Sequence, residues 1–348
     1  MPNKAERLYL LKVPEIRDAF LDAVAEIVDR AVLSEMIKAI EAGDFETLYE
    51  MTGITPAVFD KILTEIEDVY ATAGQNAVES WPKVVRTSVG MFIPAFNMRN
   101  ASVERELSVF SSEFITNITD EIKENIRTML TEGVARGANP RSTALNIVGR
   151  IDPVTKKRVG GIIGLSRNQV KWVVDVRKYL ERLDKTYLEM GLRDKRFDSI
   201  VQKAITEGKP LSGEKITQIV TAYEQRALKY RADTVARTET LQAINRAETM
   251  AITQALEEGK ITKNMVRKWW DDTGDMRTRP SHLVMGKKYN RSNPIPIDEP
   301  FVFPDGQRCM YPGDTSMGLS AKEVINCRCK VQYDIDFLAE VTGEYRNV

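Results

Sequence analysis

The residues of this chain that could bind a metal ion lie close together in the C-terminal part of the sequence. The 348 residues include one histidine, His282, and three cysteines, Cys309, Cys327 and Cys329. Cysteine and histidine are the usual ligands of structural zinc, and three Cys with one His is a known ligand set. Alternate residues of a strand share a face, so a strand through Cys327 and Cys329 would bring both thiols together. The four residues are therefore candidate zinc ligands.

The same residues have other interpretations. Three buried, reduced thiols and a hydrogen-bonded histidine would give the same sequence. Cys309 could also form a disulfide with Cys327 or Cys329 after oxidation. The Cys-x-Cys spacing departs from the Cys-x-x-Cys of common zinc fingers. A catalytic zinc is less favoured than a structural one, because four protein ligands would leave no open coordination position.

Other catalytic chemistry finds little support in the sequence. A single histidine excludes the HExxH metalloprotease motif, and no GxSxG elbow accompanies His282. There is no GxxxxGK[ST] motif for a phosphate-binding loop, and the "VGGIIG" stretch lacks the GxGxxG spacing of a dinucleotide site. The residues assign no catalytic set, although an enzyme acting through His282 and the arginine-rich loop before it stays open as an alternative.

Charge is distributed unevenly along a chain whose formal net charge is zero. Residues 1–80 carry 7 Lys and Arg against 16 Asp and Glu, whereas residues 141–240 carry 21 against 12. The basic middle could contact nucleic acid and the acidic front a basic protein surface, or both could be solvated helix faces. Within the basic stretch, Lys156, Lys157 and Arg158 are the candidate phosphate contacts for double-stranded DNA.

Helical periodicity dominates the first three quarters of the chain. Residues 1–90 predict an acidic helical N-terminal domain, and "MFIPAFNMRNAS" at 91–102 is a candidate linker. Residues 91–258 predict a region of long helices, basic from about residue 141, with helices over about 103–133 and 213–258. Asn139 before Pro140 and Ser166 before Gln169 are helix N-terminal signals.

The pattern changes after Gly259. "MVRKWWDD" predicts a strand, "PFVFPDGQRCMYPGD" predicts a β-hairpin that turns at Asp305-Gly306, and "VINCRCKVQYD" predicts a final strand. Residues 259–348 therefore form a small α+β module. The predicted fold class is mainly α, with long helices followed by this module.

The cellular location of the protein is predicted from features that the sequence lacks. No apolar run approaches the ~20 residues of a membrane-spanning helix, and the N-terminus does not resemble a signal peptide. Three cysteines make no disulfide framework, which favours synthesis in a reducing cytoplasm.

Four sequence blocks, in order, carry a resemblance to a known family. The blocks are "ARTETLQAINRAETMAITQALEEG", "KWWDDTGDMRTRPSH", "PFVFPDGQRCMYPGD" and "INCRC". Their order is similar to that of the phage head morphogenesis family, the phage Mu F-like minor capsid proteins, over roughly residues 130–332. The residues that match the family pattern are Arg237, Thr238, Glu239, Trp270, Asp275, Arg277, Arg279, His282, Phe301, Gly306, Pro312, Gly313, Asp314, Asn326, Cys327, Arg328 and Cys329.

The resemblance implies a low-copy virion protein that is made in the host cytoplasm and lies inside the capsid, associated with the portal vertex. It implies roles in head morphogenesis and in genome packaging or delivery, with the portal protein, other head proteins and DNA as partners. It implies no membrane association and no established reaction. The alternatives are a DNA-binding ejection protein without sequence specificity, or an effector enzyme centred on the C-terminal module.

The charged residues of the matching blocks have structural interpretations too. Arg237 and Glu239 are two apart on a helix and face different directions, so each is expected to pair with another segment. Arg277 and Arg279 could bind a phosphate or carboxylate, and Asp275 could orient His282 as a metal ligand. Alternatively, Asp275 and the two arginines form one internal network that fixes the loop.

Overall fold

The computed structural model describes residues 3–87, 90–337 and 339. Helices dominate the described chain and the sheets are small, so the mainly α fold class with a small α+β C-terminal module is confirmed. The described helices include none with the length and apolar character needed to cross a membrane.

The described residues contain eleven α-helices. They are α1 (Lys4–Arg30), α2 (Leu33–Ala42), α3 (Phe45–Glu50), α4 (Asp60–Val78), α5 (Ala101–Ala135), α6 (Pro140–Val148), α7 (Arg167–Arg182), α8 (Asp198–Glu207), α9 (Gly213–Glu257), α10 (Pro280–Lys288) and α11 (Ala321–Val324). Short 3-10 turns cover Pro56–Phe59, Lys185–Glu189, Lys195–Phe197 and Lys263–Met265. The two long helices that the sequence predicts correspond to α5 and α9, and both predictions are confirmed.

Local signals in the sequence set several helix starts. The Asn139 side chain accepts a hydrogen bond from the Arg141 amide at 2.8 Å, and Pro140 is the first residue of α6. At α7, the Ser166 hydroxyl accepts from the Gln169 amide while the Gln169 side chain accepts from the Ser166 amide. This reciprocal capping satisfies two amides that the first turn leaves without a partner in the helix.

The strands of the described residues form four antiparallel sheets. They are β1 (Val85–Thr87), β2 (Gly90–Phe92), β3 (Arg150–Ile151), β4 (Arg158–Val159), β5 (Val266–Asp271), β6 (Ile295–Pro296), β7 (Phe301–Val302), β8 (Arg308–Cys309) and β9 (Lys330–Ile335). Pairs β1–β2, β3–β4 and β7–β8 are two-stranded, and β5 lies between β6 and β9 in a three-stranded sheet. The predicted strand at 266–271 and the hairpin at 301–309 are confirmed.

The chain separates into two compact units built from non-adjacent segments. Unit 1 contains residues 1–17, 62–110 and 234–348, and unit 2 contains residues 18–61 and 111–233. The sequence-based division at residues 90 and 258 follows contiguous segments, and it stays a prediction. We use the name C-terminal module for residues 259–337, all of which belong to unit 1.

The core of unit 2 includes a glycine-rich loop between β4 and α7. Gly161 has a φ of +82°, and a Cβ there would lie 2.5 Å from the Gly149 amide nitrogen, so only glycine fits this position. The Glu224 side chain, which is 1% exposed, accepts the Gly161 N–H at 2.9 Å. A carboxyl group on α9 therefore holds the loop that precedes α7.

The core of the C-terminal module is aromatic. Trp270 on β5 makes edge-to-face contacts with Phe301 and Phe303, at centroid distances of 5.4 and 5.5 Å. All three cysteines are buried in the same cluster of side chains. This arrangement surrounds the candidate metal ligands with apolar groups, and the candidate site is built within it.

Candidate metal centre

The first turn of α10 positions His282. Pro280 is the first residue of this helix, where its missing N–H costs no hydrogen bond and its fixed φ suits the helix. The His282 side chain is 1% exposed. Its ring makes edge-to-face contacts with Trp270 at 5.4 Å and Phe303 at 5.6 Å between centroids. These two aromatic contacts therefore hold the imidazole in one orientation within the core of the module.

A turn, and not a strand, brings the two thiols together. Strand β9 begins at Lys330, after both cysteines, which corrects the prediction of a strand through Cys327 and Cys329. Asn326 has a φ of +56°, and the Cys327 amide bonds back to the Val324 carbonyl at 3.0 Å. The Cys329 amide then donates to the Cys327 sulfur at 3.4 Å, so the chain curls around that sulfur.

The imidazole faces both thiols. The His282 Nδ1 atom lies 3.2 Å from Cys329 Sγ and 3.6 Å from Cys327 Sγ. One ligand atom from each of the three residues lies within 4.8 Å of the others, and all three residues are buried. The structure thus brings three of the four candidate zinc ligands into one group.

The opposite nitrogen of the imidazole has a carboxylate partner. His282 Nε2 lies 3.0 Å from Glu323 Oε2, and the Ser281 hydroxyl donates to the same oxygen at 2.8 Å. A proton on Nε2, donated to Glu323, leaves the Nδ1 lone pair directed at the sulfurs. Histidine ligands of metals commonly have such a carboxylate partner, which fixes the tautomer and the ring orientation.

The two thiols are electrostatically unequal. The hydrogen bond with Cys329 lowers the pKa of the Cys327 thiol well below its usual value, and the hydrogen bond with His282 acts in the same direction. The pKa of Cys329 is raised by its hydrogen bond with Cys327 and by burial.

The geometry fits a zinc ion. With a Zn–N distance of about 2.0 Å and a Zn–S distance of about 2.3 Å, an N and an S ligand of a tetrahedral ion lie about 3.5 Å apart. Of the two observed N–S distances, 3.6 Å is close to that value and 3.2 Å is slightly below it. A divalent cation would also neutralise two buried thiolates, which are otherwise costly to desolvate. Zinc binding by this group stays a prediction that the geometry supports.

Cys309 lies outside the group. It is fully buried on β8, and burial raises the pKa of its thiol. Its charged neighbours include Lys268, whose ammonium group donates to the Met310 carbonyl at 2.9 Å. All three cysteines are free thiols in the structure.

The arginine-rich loop, residues 272–279, is tied to the turn of residues 325–329 that carries Cys327 and Cys329, which we call the thiol turn. The Asp275 carboxylate makes a bidentate pair with Arg328, with one N–O distance of 2.8 Å, and this contact holds the pKa of Asp275 well below its usual range. The Arg279 guanidinium donates to the Ile325 carbonyl, and the Arg277 amide donates to Asp275. These internal contacts join Asp275 to Arg328 and Arg279 to a backbone carbonyl, and one network of Asp275 with the Arg277 and Arg279 side chains stays a prediction. Glu323 occupies the place beside His282 that the sequence suggested for Asp275.

The other predicted motif residues lie on α9 and β5. Trp270 on β5 packs against the His282 ring, as described above. Arg237 is exposed, and its charge acts on the half-buried Tyr9 phenol. Glu239 is half-buried two residues further along α9. Between them, Thr238 Oγ1 accepts the Asn326 amide at 3.0 Å, which ties the α9 motif to the thiol turn.

The three candidate DNA contacts in unit 2 are not equivalent. Arg158 donates to the Gly149 carbonyl at 3.2 Å and to the Ala31 carbonyl at 3.4 Å. Lys156 and Lys157 are exposed in the β3–β4 turn. The two lysines, rather than the arginine, are therefore available to an external anion.

Two residues of the site escape sequence reasoning. Glu323 looks like an ordinary charge before a helical turn, and only its four-residue distance from Cys327 hints at a role. Asn245 is fully buried on α9, and its amide donates to the Pro312 and Cys329 carbonyls at 2.9 and 3.2 Å. Its side-chain oxygen accepts the Val331 amide at 3.2 Å, so Asn245 fixes the chain on the far side of the thiols.

Residues 197–332 match the family model described as Phage Mu protein F like protein. The matched segment contains every residue of the metal-ligand group, as well as Glu323 and Asn245. The resemblance read from the sequence blocks is confirmed, and the match supports a bacteriophage protein of head morphogenesis. The comparisons with curated proteins and with solved structures gave no match.

Proposed function

Because residues 197–332 are a phage Mu F-like segment, we propose that this chain is a minor head protein that associates with the portal vertex inside the capsid. In this role it acts in head assembly and in packaging or delivery of the genome. The family match is the observation that carries the proposal. The proposed partners are the portal protein and other head proteins.

The distribution of polar contacts suggests which part of the chain docks. In the C-terminal module, Asp275, Arg279 and Arg328 use their charges in contacts within the module. In the acidic front, by contrast, Leu10 and Leu11 on α1 are 60% and 61% exposed. A pair of adjacent exposed leucines is a small apolar surface that a protein partner could cover. We therefore place the portal contact on α1.

Co-purification tests this proposal with the full-length chain, because cutting at residue 258 would divide unit 1. Wild-type protein is expected to be retained by the portal oligomer, and the double variant Leu10→Ser, Leu11→Ser is expected to lose most of that retention. The matched control changes two exposed apolar residues in unit 2, Ile151→Ser and Val154→Ser. Equal retention of all three proteins would contradict the α1 contact.

Quantitative mass spectrometry of purified particles tests the place in the virion independently. A minor head protein is expected at a few copies for each portal and far below the major capsid protein. Copy numbers similar to those of the shell protein would assign the chain to the shell instead. Its absence from particles would restrict the role to assembly.

A second candidate function is DNA binding without sequence specificity, and the exposed Lys156–Lys157 pair favours it. Removal of one lysine that neutralises a phosphate reduces the slope of log affinity against log salt by about 0.9. Lys156→Ala with Lys157→Ala is therefore expected to weaken binding and to reduce the slope by about 2. The matched control is Lys287→Ala with Lys288→Ala, another exposed lysine pair with the same charge change. No binding by wild-type protein at low salt would remove DNA as a direct partner.

A further inference from the structure

The three-residue group at the candidate metal centre lacks a fourth protein ligand. A structural zinc is almost always four-coordinate, and the set His282, Cys327 and Cys329 supplies three donors. Either water or a further side chain completes the coordination. The three donor residues are buried, and Trp270 and Phe303 pack against the imidazole, which favours a side chain over an exchanging water.

Asp272 lies immediately after β5, the strand that carries Trp270. Its side chain is half-buried and rests against Gly286 of α10. A Cβ on Gly286 would collide with Asp272 Oδ2 and would lie 2.8 Å from its Cγ. Gly286 is four residues after His282, so both positions are on one face of the helix. The Asp272 carboxylate therefore occupies the space of a missing side chain one turn from the imidazole.

The carboxylate of Asp272 has no hydrogen bond or ion pair within the described part of the chain. Its neighbours differ: Asp271 accepts from Gln332 Nε2 at 3.0 Å, and Asp275 pairs with Arg328. The Asp272 carboxylate is thus not engaged by another group of the described chain and is available to a cation.

The sheet register brings Asp272 toward the thiol turn. Asp271 of β5 pairs with Lys330 of β9 in the antiparallel sheet, so Asp272 follows β5 at the level where Cys329 precedes β9. The oxygens of Asp272 do not belong to the group of atoms within 4.8 Å, so its carboxylate must turn toward an ion to bind it.

We propose that Asp272, and not Cys309, is the fourth ligand of a zinc ion held by His282, Cys327 and Cys329. Carboxylate oxygen is an established zinc ligand, and His, Cys, Cys and Asp complete a tetrahedral set. The ion then joins the segment after β5, helix α10 and the thiol turn. Gly286 is the residue that leaves room for the carboxylate.

Metal affinity in full-length variants tests the assignment. Apo-protein is loaded with Zn²⁺, and a chromophoric chelator competes for the ion. Asp272→Asn keeps the size of the side chain and is expected to weaken zinc binding about 100-fold, since even the outer hydrogen-bond partners of ligands change affinity 10–100-fold. Asp271→Asn, the matched control one residue away, and Cys309→Ser are expected to bind as wild type does.

Co²⁺ substitution reports the ligand set separately from affinity. The visible absorption of the wild-type Co²⁺ protein is expected to be that of a tetrahedral ion, and Asp272→Asn is expected to change it while Cys309→Ser leaves it unchanged. A changed spectrum for Cys309→Ser with an unchanged one for Asp272→Asn would assign the fourth position to Cys309. A wild-type protein that binds neither ion would overturn the metal centre itself.

Gly286→Ala tests the same contact if Asp272→Asn does not fold. Alanine is favoured over glycine inside a helix by about 1 kcal/mol, so the apo variant is expected to gain helix stability. Its Cβ would displace the Asp272 carboxylate, so zinc affinity is expected to fall at least about 10-fold. Wild-type affinity in this variant, with α10 intact by circular dichroism, would contradict the role of Asp272.

Discussion

The C-terminal module and unit 2 differ in how they bury groups that can carry charge. In the module, an imidazole nitrogen and two thiols face one point, the Glu323 carboxyl group contacts the other imidazole nitrogen, and each residue is less than about a tenth exposed. In unit 2, the buried Glu224 carboxyl group accepts a backbone N–H from Gly161, and the charges of Arg150 and Arg177 act on it. The first arrangement fits an external cation, whereas the second uses groups of the chain itself.

This difference predicts different sources of stability. A module whose donors converge on one point should depend on the ion that they bind. Within the residues that the structure describes, no second group of metal-binding donors was found in unit 2. Unit 2 should therefore respond to pH and to helix capping, and it should not respond to a chelator.

The largest expected effect is the loss of a metal ligand. Cys327→Ser should abolish zinc binding and destabilise the module by more than about 4 kcal/mol, the range in which loss of a structural metal belongs. Hydrogen exchange should show loss of protection in β5 and β9, with α7 in unit 2 unchanged. A chelator should reproduce the effect on wild-type protein.

The matched control for this change is Cys309→Ser, which removes a buried thiol outside the ligand group. It is expected to keep close to one zinc per chain. If well-folded wild-type protein made in a reducing cytoplasm contained no metal, the predicted dependence of the module on an ion would be wrong, and the two regions would not differ in this respect.

A second prediction concerns Lys268, which is 1% exposed in the module. Burial lowers the pKa of its ammonium group from 10.5 to about 8. A folded-state pKa below the unfolded one means that stability is highest above pH 10.5 and falls as pH drops to 8. The full effect is of the order of 3 kcal/mol, at about 1.36 kcal/mol per pKa unit.

Lys268→Met should remove that pH dependence. The difference in unfolding free energy between wild type and variant should change by up to about 3 kcal/mol between pH 8 and 10.5. Denaturant unfolding of the module at several pH values, followed by tryptophan fluorescence, measures it. Lys287→Met, at an exposed position of α10, should show no such difference.

The third prediction concerns Glu224 in unit 2 and has the opposite sign. Burial raises the pKa of this carboxyl group from 4.5 to about 7. A raised folded-state pKa means that the group favours the folded state most at low pH, and that stability is lost as pH rises from 4.5 to 7. The loss is again of the order of 3 kcal/mol.

Glu224→Gln should remove this loss. The free energy of opening at the Ile162 amide, which bonds to the Ile147 carbonyl, should vary with pH in wild type and lose that variation in the variant. Glu189→Gln, an exposed carboxyl group in the same unit, is the control. If the stability of the wild-type module and that of unit 2 changed in the same direction with pH, the proposed contrast between their buried charges would be wrong.

The sequence predicts features whose causes are local. The capping of α6 by Asn139 and of α7 by Ser166 requires residues within three positions, and the hairpin turn at Asp305-Gly306 is equally local. The thiol turn escapes prediction because it depends on Asn245, 84 residues before Cys329. Glu323 and Asp272 escape it for the same reason, since their roles follow from packing against α10 and not from spacing along the chain.

The smallest expected effect is the loss of one helix cap in unit 2. The Ser166 hydroxyl accepts the Gln169 amide, whereas α10 in the module has no side-chain cap at Arg279. Ser166→Ala leaves that amide without its partner and should cost about 1 kcal/mol.

Ser166→Ala is the most specific test of the difference between the two regions, because it alters neither a charged group nor a metal ligand. The denaturant midpoint of unit 2 should fall, with zinc content unchanged and with the β5 and β9 amides as protected as in wild type. Ser166→Thr, which keeps the hydroxyl, should restore most of the loss. A Ser166→Ala variant that lost zinc or protection in the module would mean that the two units unfold together, and the stability of each region could then no longer be assigned to its own buried groups.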